Sequence, residues 1–183
     1  MSIDTLPAPA RDPLLAAAKL VIALLIGLLT LVMAAVVIAF GAALVLGPTQ
    51  ILAEIGAADA PLRAYWAVLA LMLLFEGALF LSIRFLLELR RIVLSVEQGD
   101  PFHPANAERL ARMGWLGLAI WLADVPIGLI GAWLTPYLTA AEADLEISGD
   151  FGVESLFLIL TLFILARVFR QGAAMRDDLE GTV

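Results

Sequence analysis

The chain has 183 residues, 62% of them hydrophobic and 16% charged, where a soluble domain carries about 25% charged residues. With a mean hydropathy of +0.99, a water-soluble fold of this size has too little interior to hide its apolar surface, so the chain reads as a membrane protein. The absence of cysteine and the single histidine exclude disulfides, thiolate metal sites, iron–sulfur clusters and a bis-histidine haem within one chain. A net charge of -7 argues against direct binding of nucleic acid.

Four apolar stretches follow one another. The first runs from Leu14 to Leu46 and is broken only by Lys19 and Thr30. Asp12-Pro13 suits a helix start and Gly47-Pro48 a stop, which predicts a helix over 13–46. Such a helix is roughly 50 Å long against a hydrocarbon core of about 30 Å, so it tilts or protrudes, with Lys19 snorkelling to the nearer interface. It is too long for the apolar core of a cleavable signal.

The second helix is predicted over 62–98. It is lipid-like from Tyr65 to Ile83, and its pattern continues through Arg84, Glu88, Arg90 and Arg91 until Gly99 and Pro101 end it. Arg84 and Glu88 are spaced to pair on one helix face. The third helix, 104–134, carries Trp115 at one end and Trp133 and Tyr137 at the other, where interfacial aromatics belong. The fourth is predicted over 151–171, followed by a tail over 172–183. The fold class is therefore all-α: one polytopic domain with four transmembrane helices in a bundle and a helical hairpin extending from it.

Placing the N-terminus in the cytoplasm puts Arg11, Lys19, Arg84, Arg90, Arg91, Arg109, Arg112, Arg167, Arg170 and Arg176 inside. Of the 11 basic residues this leaves only Arg63 outside, as the positive-inside rule demands. The two outer loops are acidic, with Glu54, Asp59, Glu142, Asp144, Glu146, Asp150 and Glu154. A membrane location with both ends cytoplasmic follows from this bias.

Between helices two and three lies the segment RRIVLSVEQGDPFHPANAERLARMGW, from Arg90 to Trp115. Leu89, Ile92, Val93 and Val96 give the second helix an apolar stripe beyond the bilayer. Gly99-Asp100-Pro101 turns the chain, and Pro104 suits the first turn of the returning helix. This segment, with Leu89 before it, resembles the signature of a bacterial membrane family catalogued as domain of unknown function 2975, and the ending FRQGAAMRDDLEGTV resembles that of the same family. The likeness extends over the whole chain. It implies no assigned reaction and no catalytic residues. It also implies a partner, because members are often encoded beside a small helix-turn-helix regulator. Contact with such a partner is expected through Arg90, Arg91, Asp100, Phe102, His103, Asn106, Arg109 and Arg112 of the hairpin and Asp178, Leu179 and Val183 of the tail. The ending departs from the family's usual acidic-Leu-Thr-Ile/Val pattern by the inserted Gly181.

Two carboxylates fall inside predicted membrane helices: Glu76 in LMLLFEGALF and Asp124 in WLADVPIG. Counted from Arg84 and Arg112, they lie at about 12 Å and about 18 Å depth. An ionised carboxylate there costs roughly 2.5–3.5 kcal/mol and needs a partner or water. Three roles are open to them: hydrogen-bonded glue between helices, proton or cation binding, and an oligomer contact. His103 is expected to cap the third helix, or to sense pH. The arginine cluster has an explanation in topology and anionic lipid, or in docking an acidic protein surface. Walker, G-x-S-x-G and H-E-x-x-H motifs are missing, and Ser148-Gly149-Asp150 has Ile147 where a GxGD protease motif needs glycine. No enzymatic activity, cofactor or metal site is expected. The reading is a regulatory or interaction protein, with a small oligomeric proton-coupled transporter using Glu76 and Asp124 as the rival, and a structural membrane subunit as the third option.

Overall fold

Glycine and proline set the limits of the helices. The computed structural model describes residues 13–138 and 152–180. Helix α1 spans Pro13–Glu54, α2 Leu62–Glu97, α3 Pro104–Leu134 and α4 Val153–Glu180, with a short 3-10 turn at Thr135–Tyr137 after α3. Inside α1 the helix breaks at Gly47 (φ 79°, ψ 176°) and resumes at Pro48. Positive φ is open to glycine, and the position before a proline is pushed out of the helical region. The predicted stop is thus a break followed by a short helical segment. Pro61 precedes α2, and the turn after it contains Gly99 at φ 82°. At the start of α3, His103 Nδ1 accepts from the Ala105 N–H at 3.1 Å, and Pro104 occupies the first turn, so the expected cap is present. Helix α3 continues through Pro126.

Two expectations need correction. The residues from 172 onward do not begin a separate tail: α4 is helical to Glu180. The Phe102 ring lies over Gly172, and Arg176 reaches Asp100, so the extension has tertiary support that local sequence does not reveal. Nor do the helices close into a bundle. Among the described residues α1 packs on α2, α2 on α3 and α3 on α4, and no other pair of helices makes close contact. The result is an open row of four. Helix α1 is apolar on all sides and buries only Ile22, Ala43, Ile51 and Leu52, while Leu20, Leu24, Leu28, Leu31 and Ile38 face outward. In lipid the hydrophobic effect does not drive such a surface against a protein neighbour, so apolar exposure alone does not force the row to close.

Neighbours run antiparallel. Lys19 of α1 meets Glu97 of α2 at one end, and the Tyr65 hydroxyl donates to the Ala43 carbonyl at 3.1 Å towards the other. Glu88 of α2 meets Arg112 of α3; Trp115 and Phe163 pair between α3 and α4, and Phe102 and Phe169 pair nearer the hairpin. Two cores result. One joins Ala43, Leu52, Tyr65, Leu69 and Leu134 at the end far from the hairpin. The other joins Leu110, Met113, Leu162 and Ala166 at the basic end. Helices α1, α2 and the segment Pro104–Tyr137 are long and apolar enough to cross a membrane. Helix α4, expected as a fourth span, is not among them.

Candidate functional site

The basic end is held by a polar network. Glu88 on α2 is 3% exposed, and its Oε1 accepts from Arg91 at 2.9 Å and from Arg112 of α3 at 3.4 Å. Arg112 also reaches Glu108 one turn away at 3.1 Å. The predicted Arg84–Glu88 pair is not formed: Glu88 is buried against α3, which supplies Arg112, whereas Arg84 is exposed. Asn106 is 0% exposed. Its amide donates to Ser95 Oγ at 2.7 Å and to the Pro101 carbonyl at 3.0 Å, and its Oδ1 accepts from Arg109 at 2.8 Å. Arg109 also donates to the Arg91 carbonyl at 3.3 Å. One asparagine therefore ties together α2, the turn and α3, with every bond inside the chain.

The extension of α4 docks on this turn. Arg176 pairs with Asp100 at 2.6 Å, and the Phe102 and Phe169 rings are 5.4 Å apart. A Cβ on Gly172 would lie 3.0 Å from the Phe102 ring, so the small residue permits the approach. On the opposite side Lys19 pairs with Glu97 at 2.6 Å and draws the start of α1 to the same end.

Of the residues singled out in the hairpin, Arg91, Asp100, Asn106, Arg109 and Arg112 make side-chain contacts within the chain, and His103 caps α3. Arg90 is exposed, and Phe102 is 45% exposed despite its ring contact. Asp178 and Leu179 fall on the last turn of α4 with side chains outside the described part, and Val183 lies outside the described residues, as do the loop acids Glu142, Asp144, Glu146 and Asp150. Sequence reasoning overlooked Ser95, Phe169, Gly172 and Arg176, and gave Glu88 the wrong partner. A serine within the apolar stripe of α2 is the one local signal that a polar partner awaited it.

Further along the helices, Asp124 lines a cavity of about 350 Å³ whose walls come from all four helices. Ser82, Trp121 and Ser155 line it too, and the rest of the lining is apolar. Glu76 is not part of it. That carboxylate is partly buried, and its Oε2 has no hydrogen-bond partner among the described residues. The two membrane acids thus occupy different surroundings. A second, almost wholly apolar groove of about 610 Å³ lies between α1, α2 and α3. No group of three or more metal-ligating side chains occurs among the described residues.

Three long apolar helices joined at one end by a polar hairpin define a multi-pass membrane protein in contact with the lipid bilayer. A family described as a protein of unknown function, DUF2975, matches residues 50–183, and the chain belongs to that family. The match begins just after the break at Gly47, so the long apolar part of α1 lies outside it, where the resemblance had been expected to cover the whole chain. No curated protein and no solved structure matches the chain.

Proposed function

We propose that this protein is a non-enzymatic regulator of the bacterial inner membrane, with four spans and both ends in the cytoplasm, that holds a small cytosolic helix-turn-helix protein on the surface formed by its hairpin and the end of α4. The observation that supports this reading is the docking of α4 on the hairpin turn through Arg176–Asp100 and Phe102–Phe169. Two segments far apart in sequence, each expected to meet a partner, form one continuous surface. The internal network around Glu88 and Asn106 keeps that surface in one shape before any partner arrives, which lowers the ordering cost of binding.

The test is affinity purification from native membranes with the full-length chain, a chain ending at Arg170, and Arg90→Ser. Arg90 is exposed, so its replacement leaves the hairpin packing alone. Recovery of a small helix-turn-helix protein with the full-length chain, reduced by Arg90→Ser and lost on truncation, is the expected result. Equal recovery from all three, or no such protein from any, overturns the proposal.

The cavity at Asp124 favours a second reading, the oligomeric proton-coupled transporter in which Glu76 and Asp124 are the coupling acids. Its test is proton uptake in vesicles, abolished by Asp124→Asn and Glu76→Gln if the reading holds.

A further inference from the structure

Where α3 and α4 meet at the basic end, Ala111, Phe163, Ala166, Arg167, Arg170 and Gln171 line a cavity of about 420 Å³. The lining holds two arginines and no acid. At the same end Arg91 and Arg112 are committed to Glu88, and Arg109 to Asn106. Arg167 and Arg170 are exposed and have no ion-pair or hydrogen-bond partner among the described residues. Arg167, Arg170 and Gln171 stand at i, i+3 and i+4, so one face of α4 presents two guanidinium groups and an amide together.

Their depth follows from α3. Its apolar run starts at Gly114, where a Cβ would meet the Phe163 ring at 2.9 Å. Trp115, at the interface, packs edge-on against the same ring. Phe163 therefore marks the level at which the hydrocarbon ends. Because α4 runs antiparallel to α3, Arg167 and Arg170 lie on the water side of Phe163, by about 6 Å and about 10 Å. The polar layer of a bilayer occupies about 5–8 Å on each side of its core, and the long arginine stem brings both guanidinium groups into it. This is the depth of lipid phosphates.

The lining decides which lipid fits. Two like charges in one cavity repel each other, and an anion between them relieves the repulsion. The planar guanidinium group matches phosphate oxygens with paired donors. A zwitterionic headgroup brings its own ammonium and leaves the two arginines in excess. Phe163 and Ala166 offer the apolar wall that the upper part of an acyl chain requires.

We infer that this cavity binds the phosphate diester of one anionic phospholipid, held by Arg167 and Arg170, with its acyl chains running past Phe163 along α3 and α4. The inference rests on α3 as a membrane span. It is independent of the regulator reading, since neither arginine belongs to the hairpin turn, and failure to recover a cytosolic partner leaves it untouched.

Native mass spectrometry tests it on the purified full-length chain, released from detergent micelles holding equimolar phosphatidylglycerol and phosphatidylcholine. The chain should retain phosphatidylglycerol in preference to phosphatidylcholine. Arg167→Gln and Arg170→Gln should each weaken that retention about fivefold, the value of one arginine at an anionic surface. Arg84→Gln removes the same charge from an exposed position at the same end. Helix α3 separates it from α4, roughly 16–20 Å at ordinary helix spacings, beyond a screening length of about 8 Å. Its effect should stay below about twofold. If Arg84→Gln weakens retention as much as Arg167→Gln, the attraction is diffuse and the inference fails. It fails also if the parent shows no preference between the two lipids. Glycerophosphoglycerol, the same headgroup without acyl chains, should not displace the lipid at equal concentration; displacement would make the ligand a soluble phosphate diester and overturn the assignment to lipid. The lipid preference and this competition are read on the parent chain, so they decide the matter even if a variant does not fold.

Discussion

Glu88 is the only buried acidic or basic side chain among the described residues, and the asymmetry of its pairing sets what each substitution does. Its side chain is 4% exposed, whereas those of Arg91 and Arg112 are 55% and 53% exposed. Removing the carboxylate leaves two cations that water already reaches. Removing both arginines leaves a buried anion without counter-charge. The second change is the costlier one. Stripping the partner from a buried charge costs about 3–5 kcal/mol, and the exposure of both arginines brings this towards the lower end. Glu88→Gln should cost about 1 kcal/mol, the scale of one hydrogen bond. The Arg91→Ala, Arg112→Ala double variant should therefore unfold at a lower temperature in detergent than Glu88→Gln. Adding Glu88→Gln to the double variant should restore part of the loss. A double variant no less stable than Glu88→Gln would mean that the arginines do not serve the buried carboxylate.

Between elements, α3 and α4 approach closely at two glycines. A Cβ on Gly114 would meet the Phe163 ring at 2.9 Å, and one on Gly117 would meet Ile159 at 3.2 Å. Phe163 has little room to yield, because it is set edge-on against Trp115 with centroids 5.4 Å apart. Small residues let helix backbones approach in lipid, where packing replaces the hydrophobic effect as the source of association. Gly114→Val should destabilise the α3–α4 contact by about 1–3 kcal/mol, the cost of overpacking, and Phe163→Leu in the same chain should relieve it. Gly77→Ala is the control. Nothing lies within 4 Å of a Cβ there, and the helix gains about 0.5–1 kcal/mol when glycine is replaced. Thermal unfolding of the three variants in one detergent checks the order. The element limits themselves are legible in the sequence: 62–98 against Leu62–Glu97, and 104–134 against Pro104–Leu134. Proline and glycine act locally, so their effect can be read locally. The length of α4 cannot, because the reason for it sits at Asp100 and Phe102, on another part of the chain. The same holds in part for Glu88, which pairs with Arg91 on its own helix and not with Arg84, and whose second partner, Arg112, arrives from α3.

At the scale of the molecule, the placement of Asp124 and Glu76 inside membrane helices follows from hydropathy, but their separation into a four-helix cavity and a different environment depends on how an open row of helices packs. The row also determines topology. Successive pairs along α3 and α4, from Trp115–Phe163 through Phe102–Phe169 to Asp100–Arg176, run in opposite directions along the two chains, so the two helices lie side by side and antiparallel. If α3 crosses the bilayer, α4 traverses the same depth even though its composition is less apolar. The Arg176–Asp100 pair at 2.6 Å requires the end of α4 and the hairpin turn to share one side. The basic residues say which side: Lys19, Arg84, Arg90, Arg91, Arg109, Arg112, Arg167, Arg170 and Arg176 all gather towards this end, and Arg63 sits at the other, over the Trp133 ring at 5.2 Å. In the proposed reading, the positive-inside rule makes the hairpin end the cytoplasmic one. Reporter fusions after Val183 and within the turn 98–104 should both score cytoplasmic, and fusions at Ala57 and Ile147 should both score external. A cytoplasmic turn combined with an external Val183 would break the Arg176–Asp100 contact as well as the charge argument, and α4 would then have to leave α3 in the membrane. Agreement at Val183 and the turn, with disagreement only at Ile147, would instead mean that neither α3 nor α4 crosses, which the apolar length of α3 makes the more costly arrangement for the chain.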